Sequence, residues 1–211
     1  MPDLVEFRGV TVTFGSNRAL DRFDLTVEAG AMVALTGPNG AGKSTALRVA
    51  AGQLRPRDGQ VAIAGASVDR AKPLIGYVPD KDNHFEEFTA RRNLEFFAAL
   101  YGAPAGRTNE CLRLVELGDA ADRRVTEFSL GMRRRLLLAR ALLHQPRVLL
   151  LDEALAHLDD RSSELILSIL RSACADGAAV VMSTHQRDSA ALCDRVVTMD
   201  RGRAVKDGPR P

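Results

Sequence analysis

The chain has 211 residues, enough for one well-buried core or two small ones, with the apolar and charged fractions of an ordinary globular protein. Its 29 Lys+Arg against 27 Asp+Glu leave a formal charge of only +2, which argues against a global field for nucleic acid or an anionic membrane surface. Cys111, Cys174 and Cys193 are odd in number and widely spaced, unlike a disulfide framework or a zinc site, and suit a reducing cytosol; with no basic leader and no run of about eighteen apolar residues, neither an export signal nor a membrane span is expected.

Three short β-rich runs, residues 4–8, 10–14 and 23–27, open the chain between turns at Gly9, 15–17 and 29–30, and predict an antiparallel edge layer. Residues 31–36 form a continuous apolar strand that enters a Gly-rich loop, followed by a helix over 43–51 that stops near Gly52. Residues 60–64 and 74–78 read as further strands. From Asp80 to about Gly131 the pattern turns helical, with Leu94, Phe97, Ala98 and Tyr101 on one face, which predicts an inserted helical subdomain. Buried-strand runs return at 148–151, 179–182 and 196–199, separated by helices over 161–175 and 187–192. That alternation implies a mostly parallel sheet flanked by helices, and the tail 207–211 is expected to fray.

The loop between the strand at 31–36 and the helix at 43–51 reads Gly37-Pro38-Asn39-Gly40-Ala41-Gly42-Lys43-Ser44, the G-x-x-x-x-G-K-[ST] pattern in the strand-loop-helix context its mechanism needs. Glycines let backbone N–H groups turn around phosphate oxygens, the helix N-terminus adds partial positive charge, Lys43 can reach the β- and γ-phosphates, and Ser44 is placed for Mg²⁺. By itself this loop fits a kinase or a GTPase equally well. The strand at 148–151 delivers Asp152 and Glu153 at its C-terminal end, where open parallel sheets bind ligands. Asp152 is assigned to the Mg²⁺ shell and Glu153 to the water that attacks the γ-phosphate. His185 follows another apolar strand at the same edge and is assigned to the γ-phosphate and to the register of Glu153 with the water. His84, His144 and His157 have no such placement and are left as surface or packing residues.

Phe128-Ser129-Leu130-Gly131-Met132, just before a helix expected over 133–144, resembles the signature of ABC ATPases. The resemblance extends over the whole chain through the phosphate loop, Tyr77-Val78-Pro79-Asp80 at the Q-loop position, the acidic strand, Ala156-His157-Leu158-Asp159 as D-loop, and His185. It implies an α/β P-loop NTPase of ABC type: one domain over 1–211, with an ATP-binding core and antiparallel β layer in 1–79 and 138–211 and a helical subdomain in 80–137. It further implies ATP and Mg²⁺ as cofactors, with the nucleotide held by Phe14, Gly37, Pro38, Asn39, Gly40, Ala41, Gly42, Lys43, Ser44 and Thr45, and by Ser129, Gly131 and Met132 of a second subunit. The metal would be held by Ser44, Asp80 and Asp152. Ser129 and the Gly131 backbone stand at a helix N-terminus, a second anion-binding element, so the implied arrangement is a head-to-tail pair closing two composite sites. Phe14 would stack on adenine, though as a residue it equally suits the core of an edge strand. The sequence departs from the family where Asp80 replaces the more usual Gln and where Phe128, Leu130 and Met132 stand in the signature.

The implied function is the ATPase subunit of an exporter, peripheral on the inner membrane face through a separate membrane subunit; a haem exporter of cytochrome c maturation and a soluble ATPase of iron-sulfur assembly are the alternatives. In the segment 80–89, His84, Phe85 and Phe88 interrupt a polar run. They suit either a groove for a helix of the membrane subunit or packing against Leu94 and Phe97.

Overall fold

The computed structural model describes residues 2–209. Strands β1 (Asp3–Phe14) and β2 (Asn17–Glu28) pair as an antiparallel hairpin, and β4 (Asp58–Ile63) and β5 (Ala66–Ser67) extend that layer in the order β2-β1-β4-β5. The runs expected at 4–8 and 10–14 are one strand: Gly9, at φ +58°, sits in a register shift between Phe7 and Val10, so it bends the strand without ending it. The second layer is a six-stranded sheet of β3 (Met32–Thr36), β6 (Ile75–Val78), β7 (Val148–Asp152), β8 (Ala179–Ser183), β9 (Arg195–Asp200) and β10 (Arg203–Pro209), ordered β10-β9-β3-β8-β7-β6. Its pairs are parallel except β9 with β10.

The alternation of strand side chains divides the interior in two. Val33 and Leu35 of β3, Val148 and Leu150 of β7, and Ala179 and Val181 of β8 face α1 (Lys43–Ala50) and the antiparallel layer, in a core with Phe7, Phe23 and Leu47. Met32, Ala34, Leu149, Leu151, Val180 and Met182 face the other way, onto α3 (Ala90–Tyr101), α4 (Arg107–Leu114), α5 (Leu130–Leu142) and α6 (Asp160–Ala175). A strand buried on both faces must be apolar at every position, which explains the unbroken runs in β3, β7 and β8. Each Leu or Val so buried contributes roughly 1.5–3 kcal/mol.

The segment 80–131 is less helical than expected. No helix covers 80–89, and α3 begins at Ala90 after Thr89, whose side chain accepts the Arg92 N–H as N-cap. Gly102 ends α3 in the left-handed conformation, at φ 65°. The next long helix starts earlier than expected: α5 begins at Leu130, inside the signature, because Ser129 caps it through the Met132 N–H at 3.3 Å. The short helix α2 (Val68–Ala71) and the strand β5 had no counterpart in the sequence pattern. The last short helix is α7 (Arg187–Ala190). Residues 207–209 are paired in β10 and do not fray, since Asp207 bonds Arg195 and the backbone pairs with β9; 210 and 211 lie outside the described residues.

Candidate active site

Parallel pairing brings the ends of β3, β7 and β8 together, with Asp152 opposite Ser183 and Leu35 opposite Ser183 on its other side. The loop after β3 is shaped by contacts that forbid side chains. A Cβ on Gly37, at φ +133°, would lie 2.1 Å from the Met199 carbonyl oxygen, and one on Gly42, at φ +105°, would lie 2.4 Å from that of Ala19. Gly202 N–H donates to the Ala41 carbonyl at 2.9 Å and anchors the loop to the β9–β10 turn. Pro38, Asn39 and Gly40 are exposed at the rim, and Thr45 is half-buried one residue into α1 beyond Ser44.

Gly42 offers no side-chain cap to α1, so the first N–H groups of that helix point into the loop without an intrahelical acceptor. Lys43 is only 6% exposed, and its Nζ donates to the Gly37 carbonyl at 2.8 Å and that of Pro38 at 3.2 Å. Among the described residues it makes no ion pair. A buried ammonium held by neutral oxygens beside free helix N–H groups fits an anionic phosphate chain.

Ser44 Oγ donates to Asp152 Oδ1 at 2.9 Å, joining the loop to the carboxylate strand. Asp152 is buried, and this pushes its pKa up; hydrogen bonds from Ser183 and Ser44 oppose the rise, while the charges of Asp80 and Glu153 add to it. A buried carboxylate and a hydroxyl in contact are hard oxygen donors of the kind Mg²⁺ takes, though among the described residues no three acids are gathered closely enough to hold an ion by themselves. Asp80 is exposed and lies 3.6 Å from Arg134 Nη2 of α5, so an arginine shares its charge. Tyr77, on the same β6 edge, has its phenol pushed up to about 12 by burial and then by the charge of Asp152.

Glu153 turns out of β7 at φ +48°, and its Oε2 lies 3.0 Å from His185 Nδ1. That contact places the acid and the imidazole within reach of one water or phosphate oxygen above the loop. Sequence reasoning passed over Ser183, whose Oγ lies 2.6 Å from Asp152 Oδ1 and 3.0 Å from the Glu153 nitrogen. A serine ending an apolar strand beside a strand that ends in acids was the available signal.

Phe14 is the last residue of β1 and is half exposed. The signature is elsewhere: no hydrogen bond joins Ser129, Gly131 or Met132 to the phosphate loop among the described residues. Ser129 instead lines an open groove of about 550 Å³ with Asp159, Arg161 and Ser162. Gly131 is buried, and a Cβ there would lie 2.6 Å from Ser162 Oγ. Asp159 caps α6 through Ser162 N and Oγ at 2.8 and 2.9 Å, so signature and D-loop pack as one surface. Of the remaining histidines, His157 is exposed, His84 has a side chain 1% exposed beside Asp82, and His144 Nε2 donates to the Ile75 carbonyl at 2.9 Å.

Comparison with known proteins agrees with this geometry. The sequence pattern of the ABC transporter family matches residues 20–156. The Nod factor export ATP-binding protein I of Burkholderia lata is 37% identical over 213 residues, 97% of this chain and 70% of the relative. Its counterpart in Paraburkholderia xenovorans is also 37% identical, over 99% of this chain and 72% of the relative. Among solved structures, a dimeric ATP-binding cassette in a post-hydrolysis state with ADP and Pi superimposes with a TM-score of 0.89 at 28% identity, covering 98% of this chain and 99% of the other. A bacterial ABC exporter with ATP bound gives 0.86 at 26% identity, over 98% of this chain and 38% of that one.

Proposed function

The chain belongs to the ABC transporter family of ATP-binding, ATP-hydrolysing proteins, and from that premise we propose that it is the ATPase subunit of an exporter, acting as a head-to-tail pair on a separate membrane subunit. The observation that carries the reading is the continuous contact chain from Ser44 through Asp152, Ser183 and Glu153 to His185 beside a buried Lys43, with a second helix-N-terminal element, the signature, displaced from it. One protomer holds both elements but apart from each other, so in this reading each γ-phosphate is enclosed by the phosphate loop of one copy and the signature of a second.

In this reading Lys43 and the backbone N–H groups of 39, 40 and 42–45 hold the β- and γ-phosphates, and Phe14 stacks on the base. Ser44 and Asp152 would hold Mg²⁺, with Asp80 nearby, and the ion supplies charge neutralisation at the phosphate oxygens. Glu153 polarises the attacking water, and His185, through Nδ1, keeps that carboxylate turned toward it. Ser129, Gly131 and Met132 meet the γ-phosphate of the partner's nucleotide. The division into a core of 1–79 and 138–211 and an inserted unit of 80–137 belongs to the same proposal.

Relatives named for Nod factor export favour export over iron-sulfur assembly, and they favour it over a haem exporter. The surface for the membrane subunit is assigned to the aromatic cluster of 85–101. Phe85 packs against Phe88, Phe96 and Phe97 with ring centroids 5.3, 5.0 and 6.0 Å away, so the contact with α3 is real, yet Phe85 is still 42% exposed and Leu100 66%. The cluster borders a cavity of about 430 Å³ that Tyr77 and Arg140 also line. Among the described residues no helix is long and apolar enough to cross a membrane, so membrane attachment is assigned to that docking. Co-purification with a multi-span protein from detergent-solubilised membranes tests the reading, and recovery with a soluble scaffold in its place would contradict it.

A further inference from the structure

Ser183 belongs to none of the motifs that carry the proposed site, yet among the described residues its side chain alone bonds both Asp152 and Glu153, the two adjacent acids of that site. We infer that Ser183 is a positioning residue for hydrolysis, fixing Asp152 and Glu153 relative to each other; the inference rests on the assignment of those acids to Mg²⁺ and the attacking water.

Ser183 ends β8, is 1% exposed, and stands directly opposite Asp152 in the β7–β8 ladder. A hydroxyl has one proton and two lone pairs, so its Oγ donates to Asp152 Oδ1 at 2.6 Å while it accepts the Glu153 N–H at 3.0 Å. Ser44 donates to the same Oδ1 at 2.9 Å. With two donors converging on Oδ1, the carboxylate cannot rotate freely, and neither bond occupies Oδ2. The second bond acts on the backbone. Glu153 has φ +48°, a conformation costly for a residue with a side chain and kept only where surrounding contacts over-determine it. Its N–H bond to Ser183 and its carbonyl bond from the Ala156 N–H at 3.0 Å are those contacts. An apolar residue at this position would fill the core as well. Only a hydroxyl can donate to one acid and accept from the next.

The test uses the purified protein, with Ser183→Ala, Ser183→Thr and, as a control on the parent reading, Glu153→Gln. A fluorescent ATP analogue is titrated in EDTA and across a Mg²⁺ series, and steady-state ATPase and melting temperature are measured alongside. Ser183→Ala is expected to keep its affinity in EDTA within about twofold, to need several-fold more Mg²⁺ for the metal-dependent part of binding, and to lose roughly 10–100-fold in kcat with little change in KM. Ser183→Thr, which keeps the hydroxyl on a strand-compatible side chain, should restore most of both. An alanine variant with wild-type kcat and Mg²⁺ response overturns the inference, as does an equal loss in the alanine and threonine variants accompanied by a lower melting temperature. Full turnover in Glu153→Gln would instead overturn the assignment of the acids themselves.

Discussion

At the scale of single residues, the two sides of the proposed composite site should fail differently. Lys43 is buried and, among the described residues, makes no ion pair, which suits a charge kept for a phosphate. A charge-assisted hydrogen bond contributes about 1.5–3 kcal/mol, and Lys43→Ala should therefore weaken ATP binding by roughly 10–100-fold. Equilibrium dialysis with the isolated protomer reads this directly, and unchanged affinity would remove Lys43 from the phosphate site. Gly131 is on the other side. An added Cβ meets Ser162 Oγ at 2.6 Å, and that hydroxyl cannot give way without losing its bond to Asp159 Oδ2, although the backbone cap from Ser162 N–H to Oδ1 remains. Overpacking of this kind costs about 1–3 kcal/mol, so Gly131→Ala should lower the melting temperature and turnover while ATP binding by the protomer stays near normal. Loss of protomer binding would show that signature and phosphate loop are not separate elements.

At the scale of elements, His144 ties the end of α5 to β6 through the Ile75 carbonyl, and burial holds its pKa below the ordinary 6.5. Protonation is then favoured in the unfolded chain, so this group's contribution is complete above pH 6.5 and is lost as pH falls from there toward the lowered folded value. His144→Gln, whose amide can still donate to Ile75, should flatten the fall in urea midpoint between about pH 7.5 and 5.5; an unchanged slope would place the acid sensitivity elsewhere. The elements most legible in the sequence were β3, β7 and β8, because burial on both faces leaves continuous apolar runs that end in loop or acid. Edge strand β10 was not legible: its backbone pairing with β9 carries it, while Val205 is 60% exposed and Arg203, Lys206 and Asp207 in the same short run are polar. The segment 80–89 misled for a related reason. It was read as helix together with the stretch that follows it, but Phe85 packs by reaching across to Phe96 and Phe97 of α3, a tertiary contact that needs no helix of its own. In the candidate site, the loop, the acids and His185 were readable because chemistry restricts residue types there. Ser183 was not, since only strand register places it beside Asp152.

At the scale of the whole molecule, the phosphate loop and the signature lie in different parts of one protomer, and each is an N-terminal helix end facing outward. In the proposed arrangement, head-to-tail pairing would satisfy both at once, with ATP as the ligand shared by the two faces. Ser129→Arg puts bulk and charge at the exposed signature face and removes the cap of α5, at a cost of roughly 0.5–2 kcal/mol, so it should abolish turnover while protomer ATP binding survives. The most direct test is the mass in solution of Glu153→Gln with and without ATP, by sedimentation velocity. Removing the acid proposed to polarise water while keeping its shape should slow hydrolysis by orders of magnitude and hold the closed pair. The expected result is a monomer without nucleotide, a dimer at saturating ATP, and a monomer again when Ser129→Arg is added to the same chain. A Glu153→Gln protein that stays monomeric at saturating ATP, or that dimerises equally without it, would contradict the composite site.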